Sequence, residues 1–181
     1  MPEEATIDPR LRTALRDRLA LGPATRLLAF GSDALDPADA GLVAHLALCN
    51  STPWPPRAAS CAVAVDPLRL PFVEALFDVV VVTAVVEASD APATLLRELR
   101  RVTAPAGVVW LVVPRRWLSF GQPVVGHHFS RARLERLLVE AMLEPITWEG
   151  FGGCYLIRAE PCGGVSPQLI GQVGARRTAT A

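Results

Sequence analysis

The chain has 181 residues, 51% of them apolar and 20% charged, and its 18 basic and 18 acidic side chains leave a formal net charge of +0. That length buries one sizeable core, so a single domain is expected, and the dispersed charge offers no basic patch on which a nucleic acid would seat. No apolar run approaches the roughly 20 residues of a membrane span, and the opening Met1-Pro2-Glu3-Glu4 has no signal-peptide character, so the expected location is cytoplasmic with no membrane partner.

From Asp8 to Leu21, the residues Leu11, Ala14, Leu15, Leu19 and Ala20 recur at helical spacing with arginines between them, which predicts an amphipathic helix within residues 1–22. Arg26-Leu-Leu-Ala-Phe-Gly31 is a short apolar run ending on glycine. Asp36 to Leu48 has helical spacing, with Asp36 as N-cap and Pro37 at the first helical position. The stretch Thr52-Pro-Trp-Pro-Pro-Arg57 reads as a loop inside the domain. Cys61-Ala-Val-Ala-Val65 is a second apolar run, ending at Asp66-Pro67.

Phe77-Asp-Val-Val-Val-Val-Thr83 lacks polar alternation, the mark of a strand covered on both faces. Pro92 to Val102 is a helix with Leu95, Leu96, Leu99 and Val102 on one side, and the arginines from Arg97 to Arg101 read as its solvated face. Gly107 ends the turn into Val108-Val-Trp-Leu-Val-Val-Pro114, a second buried strand. Ser130 caps a helix through Met142, and Tyr155-Leu-Ile-Arg158 reads as a last strand. After Glu160 the small, turn-rich residues predict a mobile tail over 161–181. Alternating strands and helices imply an α/β fold, a doubly wound, mostly parallel sheet with helices on both faces, in a domain spanning 23–160.

Cys49, Cys61, Cys154 and Cys162 stand apart, without CxxC pairs or histidines at ligand spacing, and are read as reduced packing residues; no metal site is expected. Trp54, Trp110, Trp117 and Trp148 are likewise read as packing residues. His127 and His128 precede a helix start, where a histidine acts as a base or simply belongs to a polar loop. Gly31-Ser-Asp-Ala-Leu lacks the spacing of a nicotinamide dinucleotide loop.

Leu70-Pro-Phe, Phe77-Asp-Val-Val, Val86-Glu87, Leu96-Arg-Glu-Leu-Arg-Arg-Val-Thr-Ala-Pro-Ala-Gly107 and Leu111-Val-Val-Pro114 follow one another at set intervals. This series resembles the type 11 class I S-adenosylmethionine-dependent methyltransferases, whose text runs roughly "LPF…FDVV…LE…LRE..RVL.PGG…LVVP". The resemblance covers about Arg26 to Leu156 and implies a Rossmann-like methyltransferase fold, in a divergent, shortened form. It further implies S-adenosylmethionine as cofactor, bound at the carboxyl ends of the strands, and an unknown small-molecule or protein substrate. Carried over by motif, Gly31 would let the methionine part approach the backbone. Asp66 would accept a hydrogen bond from the adenine amino group, Leu68 would cover the ring, and Thr83 and Ala84 would line the floor. No catalytic residue is carried over.

The departures matter as much. Where the family has "LDLGCGTG", this chain has Leu28-Ala-Phe-Gly-Ser-Asp-Ala34, with Ala29 in place of the acid and Asp33 in place of the second glycine. Restoring both, as Ala29→Asp with Asp33→Gly, is expected to improve cofactor binding. Between Gly31 and Cys61 the usual second strand has scarcely any room, and its ribose-clamping acid has no counterpart. Pro67 also removes a backbone N–H. Two readings stay open: a methyltransferase whose cofactor binding is weak or lost, and a noncatalytic relative that serves as a binding or regulatory module.

Overall fold

The structure, a computed structural model, describes residues 9–31, 43, 45–50, 62–115, 127–151 and 153–163. Its elements in chain order are α1 (Pro9–Arg18), β1 (Arg26–Phe30), β2 (His45–Asn50), β3 (Ala62–Ala64), β4 (Phe77–Thr83), α2 (Pro92–Val102), β5 (Thr103–Pro114), α3 (Arg131–Glu140), β6 (Leu143–Phe151) and β7 (Cys154–Pro161). The strands form one sheet in the order β3-β2-β1-β4-β5-β7-β6. The first five strands pair in parallel, whereas β7 runs antiparallel to both β5 and β6.

Period-2 alternation sends each central strand's side chains to two faces, and both faces are apolar. Leu28, Phe30, Val80, Val82, Val109, Leu111, Val113 and Ile157 join Leu95, Leu99, Leu134 and Leu138 of α2 and α3 in one cluster. Leu27, Ala29, Val79, Val81, Trp110, Val112 and Leu156 join Leu11, Leu15 and Leu19 from α1 and the turn after it in the other. The expectation of two strands covered on both sides therefore holds in β4 and β5. The helix within residues 1–22 contributes directly to the same core as the sheet.

Two expectations about where strands lie fail here. The helix over Asp36–Leu48 is contradicted at its end, because His45–Asn50 is a strand paired in parallel with β1, Leu27 opposite Leu46 and Phe30 opposite Cys49. The second strand that had seemed to lack room is therefore present. An all-apolar run such as Leu46-Ala-Leu-Cys49 fits either period, and the open edge of β1 decides it by supplying backbone partners. Of that expected helix, residues 36–42 and 44 lie outside the described residues, as do Trp54, Cys61, Trp117 and the expected tail from 164 onward. Secondly, β6 fills a stretch where no strand was expected. It forms a hairpin with β7 and carries Pro145, a bulge between Pro145 and Thr147, and an exposed Ile146, the pattern of an edge strand.

Polar contacts lock the elements. Arg26 opens β1 by donating from Nε and Nη2 to the Asp78 carboxylate of β4, at 3.0 and 2.7 Å, and its backbone N–H also donates to Asp78 Oδ2. Arg26 holds Asp78 below the usual carboxylate range. Arg101 departs from the solvated-face expectation. Its guanidinium donates to Glu98 and to the carbonyl oxygens of Leu70 and Phe72, while Glu98 accepts the N–H of Leu70. The Leu-Pro-Phe motif is thus clamped onto α2. In β5, Thr103 pairs with Phe77 and Val108 with Val79, so residues 104–107 bulge out, where the strand had been expected to begin only after Gly107. A Cβ on Gly107 would lie 2.8 Å from Thr103 Cγ2 and 2.9 Å from the Asp78 carbonyl oxygen, so the bulge needs glycine.

Candidate functional site

The strand order reverses between β1 and β4: the chain proceeds from β1 outward to β2 and β3, then returns to β4 and builds β5 on the other side. The carboxyl ends of β1 and β4 therefore flank the switch point of the sheet, the place where such sheets bind ligands. The loop after β4, Ala84 to Ala91, leaves from this point, and the loop after β3, which begins at Val65, leaves the same end of the parallel sheet.

Gly31 and Thr83 meet there. Gly31 has φ +101, and a Cβ on it would collide with the Thr83 carbonyl oxygen and lie 2.9 Å from Thr83 Oγ1. The bare face of this glycine is therefore filled by the chain itself. Thr83 is wholly buried, whereas Ala84 is exposed, with φ +56 in the left-handed region that alanine rarely adopts.

Asp66 and Leu68 sit apart from that pair, beyond β3, three strand spacings or about 14 Å across the sheet from β4. Asp66 is exposed, and its Oδ1 accepts the N–H of Leu68 at 2.9 Å while its carbonyl oxygen accepts the N–H of Arg69. The carboxylate thereby fixes its own turn. Leu68 is half-buried and packs against the α2 and α3 side of the core. A ligand touching all five of these residues would have to be elongated.

Sequence reasoning gave Glu87 no role, although it noted the residue within a motif. Its side chain is 4% exposed, and among the described residues neither carboxylate oxygen has a hydrogen-bond partner. Burial pushes its pKa up to about 7 against the opposing pull of its own backbone N–H, which forms no hydrogen bond of proper geometry to the group. The signal in the sequence is slight: one acid in Ala84-Val-Val-Glu-Ala88, directly after a buried strand. The Glu87 carbonyl oxygen accepts the N–H of His127 at 2.6 Å, tying this loop to the segment that enters α3. His127 and His128 are themselves exposed, and the His127 ring tilts against Phe129. Nearby, Arg115 at the end of β5 lies over the Tyr155 ring, which packs edge-on against Trp148.

Cys154 and Cys162 form no disulfide, and no group of three metal-ligating side chains occurs among the described residues. Among the same residues, no helix is long and apolar enough to cross a membrane.

Sheet order and strand direction define a Rossmann-like methyltransferase fold. A family model described as a methyltransferase domain matches residues 34–111. Among solved structures, one similar chain is a protein assigned as a methyltransferase, in complex with the Haloferax volcanii Trm112 methyltransferase activator. It has a TM-score of 0.72 at 12% identity, covering 84% of this chain and 89% of that one. Another is the 1,6-didemethyltoxoflavin-N1-methyltransferase of Burkholderia thailandensis with bound 1,6-didemethyltoxoflavin and S-adenosylhomocysteine, at TM-score 0.66, 19% identity and coverages of 85% and 77%. The [4+2]-cyclase SpnF is similar at TM-score 0.64, 15% identity and coverages of 85% and 81%. No curated protein sequence matches the chain. The match to the methyltransferase-domain model spans 34–111, and the solved structures, at 12–19% identity, share the fold with this chain.

Proposed function

We propose that the protein is an S-adenosylmethionine-dependent methyltransferase acting on a small-molecule or protein substrate in the cytoplasm. The observation that carries this reading is the reversal of strand order between β1 and β4, with Ala84 and the loop of the buried, unpaired Glu87 leaving β4 beside it and the acceptor Asp66 following β3 at the same end of the sheet. An unpaired carboxyl fits a ligand bearing positive charge, and Asp66 keeps a second carboxylate oxygen for a donor such as an amino group. Gly31 fits less well as a cradle, since Thr83 occupies the space beside it. When bound, the cofactor supplies a methyl group on a sulfonium. The chain's part is to hold the two reactants in line.

We read residues 23–160, with the helix of 1–22 packed on them, as the unit that does this. The Haloferax volcanii neighbour was solved with an activator protein, which makes a protein partner for this chain part of the same proposal.

The noncatalytic module remains the second reading, favoured by specific residues. Ala29, which stands where the family has an acid, is packed in the α1-side core, and β2 ends on Asn50 where the family has an acid. The cyclase among the similar structures illustrates that this fold serves other ends. Calorimetric titration with S-adenosylmethionine and S-adenosylhomocysteine separates the two. The enzyme reading expects saturable binding of both, and the absence of binding at millimolar ligand favours the module.

A further inference from the structure

Buried polar groups in folded proteins are almost always hydrogen-bonded, and strongly perturbed acids gather where ligands bind. Among the described residues, Glu87 is the only buried carboxyl with neither oxygen bonded. Its backbone is held firmly, because its carbonyl oxygen takes the His127 N–H at 2.6 Å, so the side chain does not simply swing out to water with a loose loop. Its loop leaves the carboxyl end of β4, one side of the switch point of the sheet, directly after Thr83.

We propose that Glu87 is the counter-charge for a cationic ligand centre held beyond the carboxyl end of β4, which, resting on the methyltransferase reading above, is the sulfonium of S-adenosylmethionine. A carboxylate in this setting is poorly screened, so a nearby cation gains more there than at the surface. The neutral thioether of S-adenosylhomocysteine shares every other part of that ligand and gains nothing from the charge. Glu87 would therefore favour the methylated form before transfer and release the demethylated form after it. The charged and titratable groups of the neighbouring elements are His127 and His128 on the segment bonded to Glu87, Asp90 on its own loop and Arg115 at the end of β5; α2 has no acid in its first turn.

The test is calorimetry on the full chain at pH 8 with both ligands, comparing the wild type with Glu87→Gln and Glu87→Asp. The wild type is expected to prefer S-adenosylmethionine by about tenfold, a difference of the size one unscreened charge supplies. Glu87→Gln should erase that preference by weakening S-adenosylmethionine alone, and Glu87→Asp should keep most of it. An unchanged preference in Glu87→Gln, with both ligands still binding, overturns the role of Glu87 and leaves the methyltransferase reading standing. Failure of either ligand to bind the wild type overturns that reading, and this proposal with it. Thermal unfolding without ligand guards against a structural role. Glu87→Gln should be at least as stable as the wild type at pH 8, and a marked loss of stability would mean that the carboxylate has a partner within the protein, which also overturns the proposal.

Discussion

Gly31 lies with its missing side chain against the main chain of Thr83, so that a Cβ would stand 2.9 Å from the Thr83 carbonyl carbon and collide with the oxygen. This glycine is required by the way the ends of β1 and β4 fit together, before any ligand is considered. Gly31→Ala combines a positive φ with steric overlap and is expected to lower stability by roughly 2–4 kcal/mol. Denaturant unfolding measures it. A change below about 0.5 kcal/mol would show that the two strand ends separate easily.

Ala29 is buried beside Leu27, Val79 and Val81 under α1. The substitution that would restore the family's acid, Ala29→Asp, therefore places a carboxylate in an apolar cluster, at an expected loss of about 3 kcal/mol or more at pH 7. The loss should shrink towards pH 4, where the new group is protonated. Binding improved by Ala29→Asp without loss of stability would contradict this and restore the simpler view from the motif. Asp33→Gly, outside the described residues, is the cleaner half of that pair.

The Glu87 carboxyl is raised from 4.5 to about 7 by burial. A raised acid binds its proton more tightly in the folded than in the unfolded chain, so its contribution is full below about pH 4.5 and is lost as pH rises through about 7. Stability should fall by about 1.4 kcal/mol per pH unit across that window and level off above it. His127, His128 and Asp90 are exposed and unaltered in Glu87→Gln, so the difference between the two proteins isolates this group. Asp78 and Glu98, both held low by arginines, lose their contributions only at more acidic pH. Equal slopes for wild type and Glu87→Gln between pH 5 and 7 would refute the assignment.

Asp66 holds the turn after β3 through the N–H of Leu68. Asp66→Ala removes that bond together with the acceptor proposed for an adenine amino group, and should weaken S-adenosylmethionine by about 1–2 decades. Asp66→Asn keeps the turn, because its amide oxygen still accepts, and should bind between the two. Unchanged affinity in both variants would make Asp66 a strand-end cap alone.

What was legible in the sequence follows from how burial is imposed. β4 and β5 stand out because covering both faces removes polar residues from a whole run, and α3 begins at the Ser130 cap, whose side chain accepts the N–H of Arg133. β2 was hidden because Leu46-Ala-Leu-Cys49 satisfies a helical as well as a strand period, and only the edge of β1 chooses. β6 was hidden because an edge strand with Glu144, Pro145 and Glu149 has no clean alternation. In the candidate site, Gly31 was visible as a glycine after a strand, but what fills its open side was not, since Thr83 lies 52 positions away. The burial of Glu87 arises in the same way, from loops that meet only in the fold.

Isothermal calorimetry of the intact chain with S-adenosylmethionine tests the central claim most directly. The account predicts saturable one-site binding, tighter for S-adenosylmethionine than for S-adenosylhomocysteine and weakened by Asp66→Ala. No heat of binding for either ligand at millimolar concentration, in a protein that unfolds cooperatively, would contradict it and leave the chain a methyltransferase in fold alone.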